Sequence, residues 1–424
     1  MAEVETKAIK GGRLIDGTGA EPIEKATVLI EGSKIKAVGK DIEVPKGAKV
    51  IDATGKTVMP GLIDSHLHIS GASTSAMTER IIRPSELSLI KAIYDSRDLL
   101  AAGFTMAKDC GGANAVFLRK AVAEGPLSGL PRIVAAGYTL SQTYGHADVH
   151  FFPPECADVR TSRHSNAHGL ICDGVAECIK ATRYALRFGA DFIKVMATGG
   201  VMSERDFPTD VQFNLDEIKA IVQTAAQVGK FVTAHCQNSR GARNAILGGI
   251  KTIDHGPRGA KDDDEVIAMA KENGNIFVST LAIPQAILAR GEKAGVAPWA
   301  LAKGKVQWDA VIESYKKIRK AGAILASGTD YNGSPLLPFG KNAIELELLV
   351  KHCDFTPMDA IVAATKNGAM ACFMGDKTGT IEAGKFADII VVDGNPLADI
   401  KLLQDVEKIK MVMLEGKVEI DRGL

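Results

Sequence analysis

The sequence predicts an α/β fold in which a (β/α)8 TIM barrel is joined to a small β-sandwich domain built from both chain termini. Three observations support this prediction. Eight strand-like segments alternate with helical patterns in the middle of the chain, both ends are rich in short strands and turns, and several middle strands end in polar residues. The 424 residues, 46% of them hydrophobic, provide enough apolar material for a large core.

The amino-acid composition bears on the kinds of partner that the protein binds and on its cellular compartment. The formal net charge is zero, so the sequence indicates no nucleic acid or membrane as a partner. The seven cysteines lack a C-x-x-C pair, which indicates reduced thiols. The chain as it stands lacks an apolar signal segment and a run of 18 apolar residues, so we expect a cytoplasmic protein, with a removed signal peptide left open.

Both ends of the chain have a strand-and-turn character. Strand candidates are Lys7–Leu14, Ala26–Glu31, Lys34–Val38, Ala387–Val392, Lys408–Leu414 and Lys417–Ile420. Turn signals such as Asp16-Gly17 and Glu415-Gly416 lie between them. Because a helical middle separates the two β-rich ends, we expect residues 1–60 and 377–424 to meet in one composite β-sandwich domain.

The middle, residues 61–376, repeats strand and helix. Strand candidates are Leu62–Ile69, Thr105–Asp109, Arg132–Thr139, Phe192–Thr198, Phe231–Cys236, Thr252–His255, Asn275–Leu281 and Ile324–Thr329. Eight such units predict a closed barrel. An open doubly wound sheet would need a glycine-rich phosphate turn after its first strand, where His66-Leu67-His68 stands instead. The irregular segment 141–173 interrupts the repeat and is typical of a lid.

Polar residues end five of the predicted strands. His66 and His68 close the first strand and, being two residues apart, point to the same face. Lys194 lies in the apolar fourth strand, His235 and His255 end the fifth and sixth strands, and Asp330 ends the eighth. Since the C-terminal ends of barrel strands form one rim, we expect these six side chains to converge.

Imidazoles and a carboxylate are suitable ligands for zinc. A lysine inside a barrel is costly to keep charged and unpaired, and beside metal ions it can react with carbon dioxide to give a carbamate that bridges two cations. Two such cations can hold a hydroxide between them and polarise a carbonyl oxygen. Asp330 is then the candidate catalytic residue, which takes the proton of the hydroxide and passes it to the leaving nitrogen.

The ordered set His66-x-His68, Lys194, His235, His255 and Asp330 resembles the amidohydrolase superfamily with a binuclear metal centre. The lead-in Met59-Pro60-Gly61-Leu62-Ile63-Asp64 and the exit segment 379–388 are also similar to that superfamily. The resemblance covers nearly the whole chain. It implies a metal-dependent hydrolase acting on C–N bonds, two divalent metal ions with zinc expected, and a carboxylated Lys194.

Two further motifs resemble one branch of the superfamily. They are segment 189–200 around Lys194 and Gly145-His146-Ala147-Asp148. The branch contains imidazolonepropionase-like enzymes, Xaa-Pro and Xaa-Arg/Lys dipeptidases, and ochratoxin A amidohydrolases. It implies a small dipeptide or N-acyl amino acid with a free carboxylate as substrate, and His146 as a substrate-binding residue. Val201 is a second candidate, as an apolar wall of the site.

Other interpretations remain open at this point. Cyclic-amide hydrolysis or deamination is supported by the same fold, although deaminases commonly use one metal and no bridging lysine. A non-enzymatic scaffold would be expected to lack ligands, and this chain has them all. We expect His150, His164 and His168, within the lid segment, to be solvated residues. The sequence leaves zinc, manganese and cobalt as alternatives and predicts a homo-oligomer without giving its subunit count.

Overall fold

A computed structural model describes residues 5–76, 78–162, 169–259 and 262–424. Its centre is a barrel of parallel strands, which we number in chain order. The barrel strands are Leu62–Leu67 (first), Phe104–Asp109 (second), Arg132–Ala135 with Thr139–Ser141 (third), Ile193–Met196 (fourth), Val232–His235 (fifth), Thr252–Asp254 (sixth), Ile276–Ser279 (seventh) and Ile324–Ser327 (eighth). The predicted eight-stranded barrel is confirmed.

The barrel closes between the eighth and first strands. The backbone N–H of Asp330 donates to the carbonyl oxygen of His66 at 2.7 Å, and the N–H of His68 donates to that of Tyr331 at 2.8 Å. These bonds hold the ends of the two strands side by side. His66, His68 and Asp330 therefore belong to one hydrogen-bonded corner of the rim.

The third strand is predicted as one continuous segment, Arg132–Thr139, but the structure divides it into two halves. Its first half pairs with the second strand, and its second half pairs with the fourth. The break contains Gly137, whose φ of +67° lies in the left-handed region, and whose carbonyl oxygen accepts from the N–H of Gly112. An apolar run gives no sign of such a break, because both halves are buried.

Helices cover the outside of the barrel. They are Glu79–Ile82, Ser85–Ala101, Ala113–Glu124, Pro154–Ala157, Gly174–Phe188, Leu215–Ala226, Ser239–Leu247, Asp263–Glu272, Ala282–Arg290, Pro298–Ala321, Ile344–His352, Pro357–Ala363 and Lys366–Ala371, with 3-10 turns at Ile400–Gln404 and Val406–Lys408. Asn214 begins the helix after the fourth strand with a capping box that includes Glu217. Among the described residues, no helix is long and apolar enough to cross a membrane.

Both chain ends form one separate sheet, as predicted. Its strands are Thr6–Leu14, Ile23–Glu31, Lys34–Gly39, Lys49–Asp52, Thr57–Pro60, Ile389–Val392, Ile409–Leu414 and Lys417–Asp421. The central contact pairs Thr57–Pro60 antiparallel with Ile389–Val392, so the two termini are joined by backbone hydrogen bonds. Its own apolar core includes Ile9, Ile30 and Ile389.

One charged cluster connects the barrel to the terminal sheet. Arg132, at the start of the third strand, contacts the carboxylates of Asp388 and Glu415, each at 2.6 Å. Asp388 is nearly buried and also accepts hydrogen bonds from Thr378 and from the N–H of Glu415. This polar contact therefore holds the sheet to the side of the barrel, and the oxygen atoms of the buried Asp388 carboxylate have hydrogen-bond donors.

Candidate metal centre

The six predicted metal-site residues line one cavity of about 210 Å³ at the C-terminal ends of the barrel strands. They are His66, His68, Lys194, His235, His255 and Asp330. Five of them lie at or just beyond the end of a strand, and Lys194 lies within the fourth strand, Ile193–Met196. The structure thus brings together residues that are up to 264 positions apart in the chain, from 66 to 330.

His66, His255 and Asp330 form the tightest group of potential ligands. Their nitrogen and oxygen atoms all lie within 4.8 Å of one another. A carboxylate oxygen of Asp330 lies 3.5 Å from Nε2 of His66 and 3.2 Å from Nε2 of His68. The ring of His255 lies 4.7 Å from that of His66 and 4.4 Å from that of His235. Four imidazoles and a carboxylate therefore surround a common space.

Three of these imidazoles are oriented by a hydrogen-bond contact at one of their two ring nitrogens. Nδ1 of His68 lies 3.1 Å from the carbonyl oxygen of Gly111, and Nδ1 of His255 lies 2.8 Å from the hydroxyl of Thr280. In His235 the roles are reversed, since Nε2 lies 3.2 Å from the carbonyl oxygen of Gly199. Such contacts hold the ring and leave the other nitrogen for a metal ion.

The backbone turns sharply at two of the candidate ligands. His255 has φ of +69° and Asp330 has φ of +58°, a left-handed conformation that non-glycine residues rarely adopt. His255 directly follows the sixth strand, and Asp330 lies three residues after the end of the eighth strand, Ser327. Strain of this kind is concentrated at functional sites.

Two of the histidines and Asp330 have protonation states that fit a divalent cation. Burial lowers the pKa of His235 and of His255 well below the ordinary histidine value, so both rings are neutral at neutral pH. Burial alone would raise the pKa of Asp330, but His66 and His68 hold it well below its usual range. Neutral imidazoles and an ionised carboxylate are the forms that bind metal. His66 differs: burial opposes its charge, but Cys110 and Asp254 raise its pKa well above the ordinary histidine value, so this ring must lose a proton before it binds a metal ion.

Lys194 lies at the base of the cavity, where it pairs with the carboxylate of Asp254. Both side chains are buried. Burial opposes the charge of the lysine, yet Asp254 raises its pKa on balance. In this arrangement the amine donates to a carboxylate and is not itself a ligand. A bridging role therefore requires Lys194 to lose its proton and leave Asp254.

Sequence reasoning missed Asp254 and Cys110. Asp254 lies 3.1 Å from Nδ1 of His66, and Cys110 forms a second group of potential ligand atoms with these two residues. Asp254 precedes His255 and is the inward-pointing residue of the sixth strand, two positions after Thr252, so strand alternation was the signal that could have identified it. Cys110 directly follows the second strand, at the same rim.

The cysteines form no disulfide among the described residues. All seven, each within the described ranges, are free thiols, as predicted. Cys236, next to His235, is fully buried, and burial raises the pKa of its thiol well above the ordinary value. It therefore stays protonated, which argues against a nucleophilic role.

The predicted substrate-binding residues lie at the mouth of the same cavity. His146 and Val201 both line it. The ring of His146 stacks on that of His235 at 4.3 Å, and its Nδ1 lies 2.6 Å from the hydroxyl of Ser203 and 3.4 Å from a carboxylate oxygen of Asp206. These contacts fix the ring and leave Nε2 without a protein partner in the described structure.

The predicted lid is only partly described. Residues 163–168 lie outside the described residues, and with them His164 and His168. The expectation of a solvated His150 is wrong: its side chain is 4% exposed and its ring stacks on Tyr144 at 5.2 Å. Loop 199–213 covers it, since the N–H of Arg205 donates to Nδ1 of His150.

A TIM barrel with imidazoles, a lysine and a carboxylate at its C-terminal rim defines a metal-dependent hydrolase. The comparisons agree: residues 57–418 match the model of the Amidohydrolase family, and the chain belongs to that family. Enzymes of this family generally use a divalent metal. The chain is thus a metal-dependent amidohydrolase that acts on amide bonds.

Two relatives are particularly similar. The ochratoxinase of Aspergillus niger is 32% identical over 98% of this chain and 87% of its own length. Its crystal structure matches with a TM-score of 0.90, covering 100% of this chain and 97% of that one. The crystal structure of a prolidase complexed with N-methylphosphonate-L-proline is 30% identical, with a TM-score of 0.88, over 97% of this chain and 99% of that one.

Proposed function

We propose that this chain hydrolyses the amide bond of a small dipeptide or N-acyl amino acid that has a free carboxylate. The observation that carries the proposal is the convergence of four imidazoles, Lys194 and Asp330 on one cavity. Similarity to an ochratoxinase and to a prolidase supports the substrate class, and ochratoxin A is one candidate substrate.

The proposed centre holds two zinc ions. His66, His68, His235, His255 and Asp330 would be ligands, together with Lys194 as its carbamate. When bound, the metal ions supply Lewis-acid polarisation of the substrate carbonyl and an activated water. Carbamate formation joins the neutral Nζ of Lys194 to the carbon of carbon dioxide and releases one proton. Asp254, the present partner of Lys194, would then face an anion and must itself move or bind a cation.

Asp330 is the proposed proton carrier. Its ionised carboxylate lies among His66 and His68 at the cavity floor, where an attacking water must also lie. We propose that it accepts the proton from the water and donates it to the nitrogen of the leaving amino acid. Its side chain is 19% exposed, which permits contact with a substrate.

His146 and Val201 are the proposed substrate contacts. Because Ser203 and Asp206 engage Nδ1 of His146, its Nε2 is free to donate a hydrogen bond to a substrate oxygen. Val201 provides an apolar wall beside it. The small volume of the cavity suits a dipeptide-sized molecule.

A substrate panel tests the proposal. Purified protein is incubated with Xaa-Pro, Xaa-Lys and Xaa-Phe dipeptides, N-acyl amino acids and ochratoxin A, beside a lactam and an aminopurine. We expect hydrolysis of at least one carboxylate-bearing amide, its loss after chelation and its recovery with added zinc. Cleavage of the lactam alone would instead indicate a cyclic-amide hydrolase, and release of ammonia from the aminopurine alone would indicate a deaminase.

A further inference from the structure

Arg258 is a buried cation without an anionic partner. It follows His255 by three residues, in the loop after the sixth barrel strand, and its side chain is 7% exposed. Within the described residues no Asp or Glu pairs with it, and its Nε has no acceptor. Its one hydrogen bond to a described residue runs from Nη2 to the carbonyl oxygen of His255, at 3.4 Å.

Two less buried arginines of the described chain, by contrast, pair with carboxylates. Arg132 pairs with Asp388 and Glu415, and Arg160 pairs with Asp158. An unpaired guanidinium removed from water is costly, and an anion that reaches it would recover that cost. A guanidinium keeps its charge at neutral pH.

Arg258 lines the same cavity as the metal-site residues. The two other cationic side chains that line it are already engaged. Lys194 pairs with Asp254, and Arg83 donates to the hydroxyl of Ser73. In the described part of the cavity wall, Arg258 is therefore the positive charge left to bind a ligand.

Two amide side chains of the same cavity wall also have an oxygen without a donor among the described residues. Gln237, two residues after His235, and Gln307, on helix Pro298–Ala321, line the cavity, and the buried Oε1 atom of each has no donor among the described residues. Gln237 and Arg258 lie on loops after neighbouring strands, which are joined by the bond from the N–H of Cys236 to the carbonyl oxygen of Asp254. An amide can turn to present its NH2 group, so it can assist in binding an anion.

We propose that Arg258, assisted by Gln237, binds the free carboxylate of the substrate. The planar guanidinium matches a carboxylate through two parallel hydrogen bonds. This inference rests on the proposed amide hydrolysis and adds a requirement to it: the enzyme selects amides that have a carboxylate and discriminates against the same molecules with that group neutralised.

The test compares N-benzoyl-phenylalanine with its C-terminal amide, using wild type, Arg258→Met and Arg258→Lys as holoenzymes. Wild type should cleave the acid with a kcat/KM on the order of 100-fold higher than the neutral analogue. Arg258→Met should lose most of this preference, chiefly through a higher KM for the acid. Arg258→Lys should recover part of the preference, because it restores charge without the planar fork.

Arg240→Met is the matched control, because Arg240 is exposed and its described contact is with the carbonyl oxygen of Thr209. It should leave the preference unchanged. A merely structural role for Arg258 would lower activity on both substrates equally and lower the thermal midpoint. Such a result, or an unchanged preference in Arg258→Met, would overturn the carboxylate site.

Calorimetric measurement of binding distinguishes a failure of this inference from a failure of the proposed function. If wild type cleaves both compounds equally, amide hydrolysis stands and the carboxylate site is wrong. If wild type cleaves neither but binds the acid, with affinity lost in Arg258→Met, the site stands and the proposed hydrolysis of such amides fails. Absence of both cleavage and binding would contradict both.

Discussion

At the scale of single residues, the candidate site was largely predictable because ligand types and strand ends coincide in the sequence. His66, His68, Lys194, His235, His255 and Asp330 line one cavity, although their roles stay predictions. The pairing of Lys194 with Asp254 was not predictable, because it depends on which inward-pointing side chains meet across the barrel. Nor do residue types reveal the left-handed backbone of His255 and Asp330.

The role of Asp330 gives a prediction at this scale. Asp330→Asn keeps the size of the side chain and an oxygen ligand but removes the base, so kcat should fall about 10²- to 10⁴-fold while metal content is retained. The measurement is steady-state kinetics beside elemental analysis of the same preparation. Turnover close to wild type, with metal bound, would show that another group moves the proton.

At the scale of elements, the strands and helices that surround the site follow from the alternation of strand-like and helical patterns in the sequence. The break in the third strand and the buried position of His150 do not, because both depend on packing between segments distant in the chain. A further case is Glu345 on helix Ile344–His352. Its carboxyl group is buried and accepts from the N–H groups of Leu281 and Ala282, where helix Ala282–Arg290 begins.

Glu345 predicts a pH-dependent stability. Burial raises its pKa to about 8, so the folded state keeps a proton that the unfolded chain has already released. This contribution to the free energy of unfolding is complete below the ordinary glutamate pKa and is lost as pH rises through about 8. Denaturant titrations between roughly pH 5 and pH 9 should therefore show decreasing stability with rising pH.

Glu345→Gln should flatten that dependence and lower stability by about 1–3 kcal/mol, since one backbone N–H loses its acceptor. Glu347→Gln is the control: it lies on the same helix, is partly exposed and contacts Lys401. It should preserve the wild-type slope. An equal slope in wild type and Glu345→Gln would mean that Glu345 is ionised in the folded protein.

At the scale of the whole molecule, alternation of strands and helices predicted the barrel, and two β-rich ends predicted the sheet formed by both termini. Two features could be identified only in the structure. They are the hydrogen bonds that close the barrel and the Arg132 cluster that holds the sheet against it. Domain boundaries at residues 60/61 and 376/377 stay a prediction, as does a homo-oligomer, because interfaces between copies leave no comparable periodic signal.

The central claim is a binuclear metal centre bridged by carboxylated Lys194. Elemental analysis of purified wild type, beside Lys194→Ala, tests it most directly, after both are saturated with zinc in the presence of bicarbonate and freed of excess metal. We predict close to two zinc ions per wild-type chain, and one or none in Lys194→Ala. A wild-type chain with a single ion, or a Lys194→Ala variant that retains two, would contradict the bridged centre.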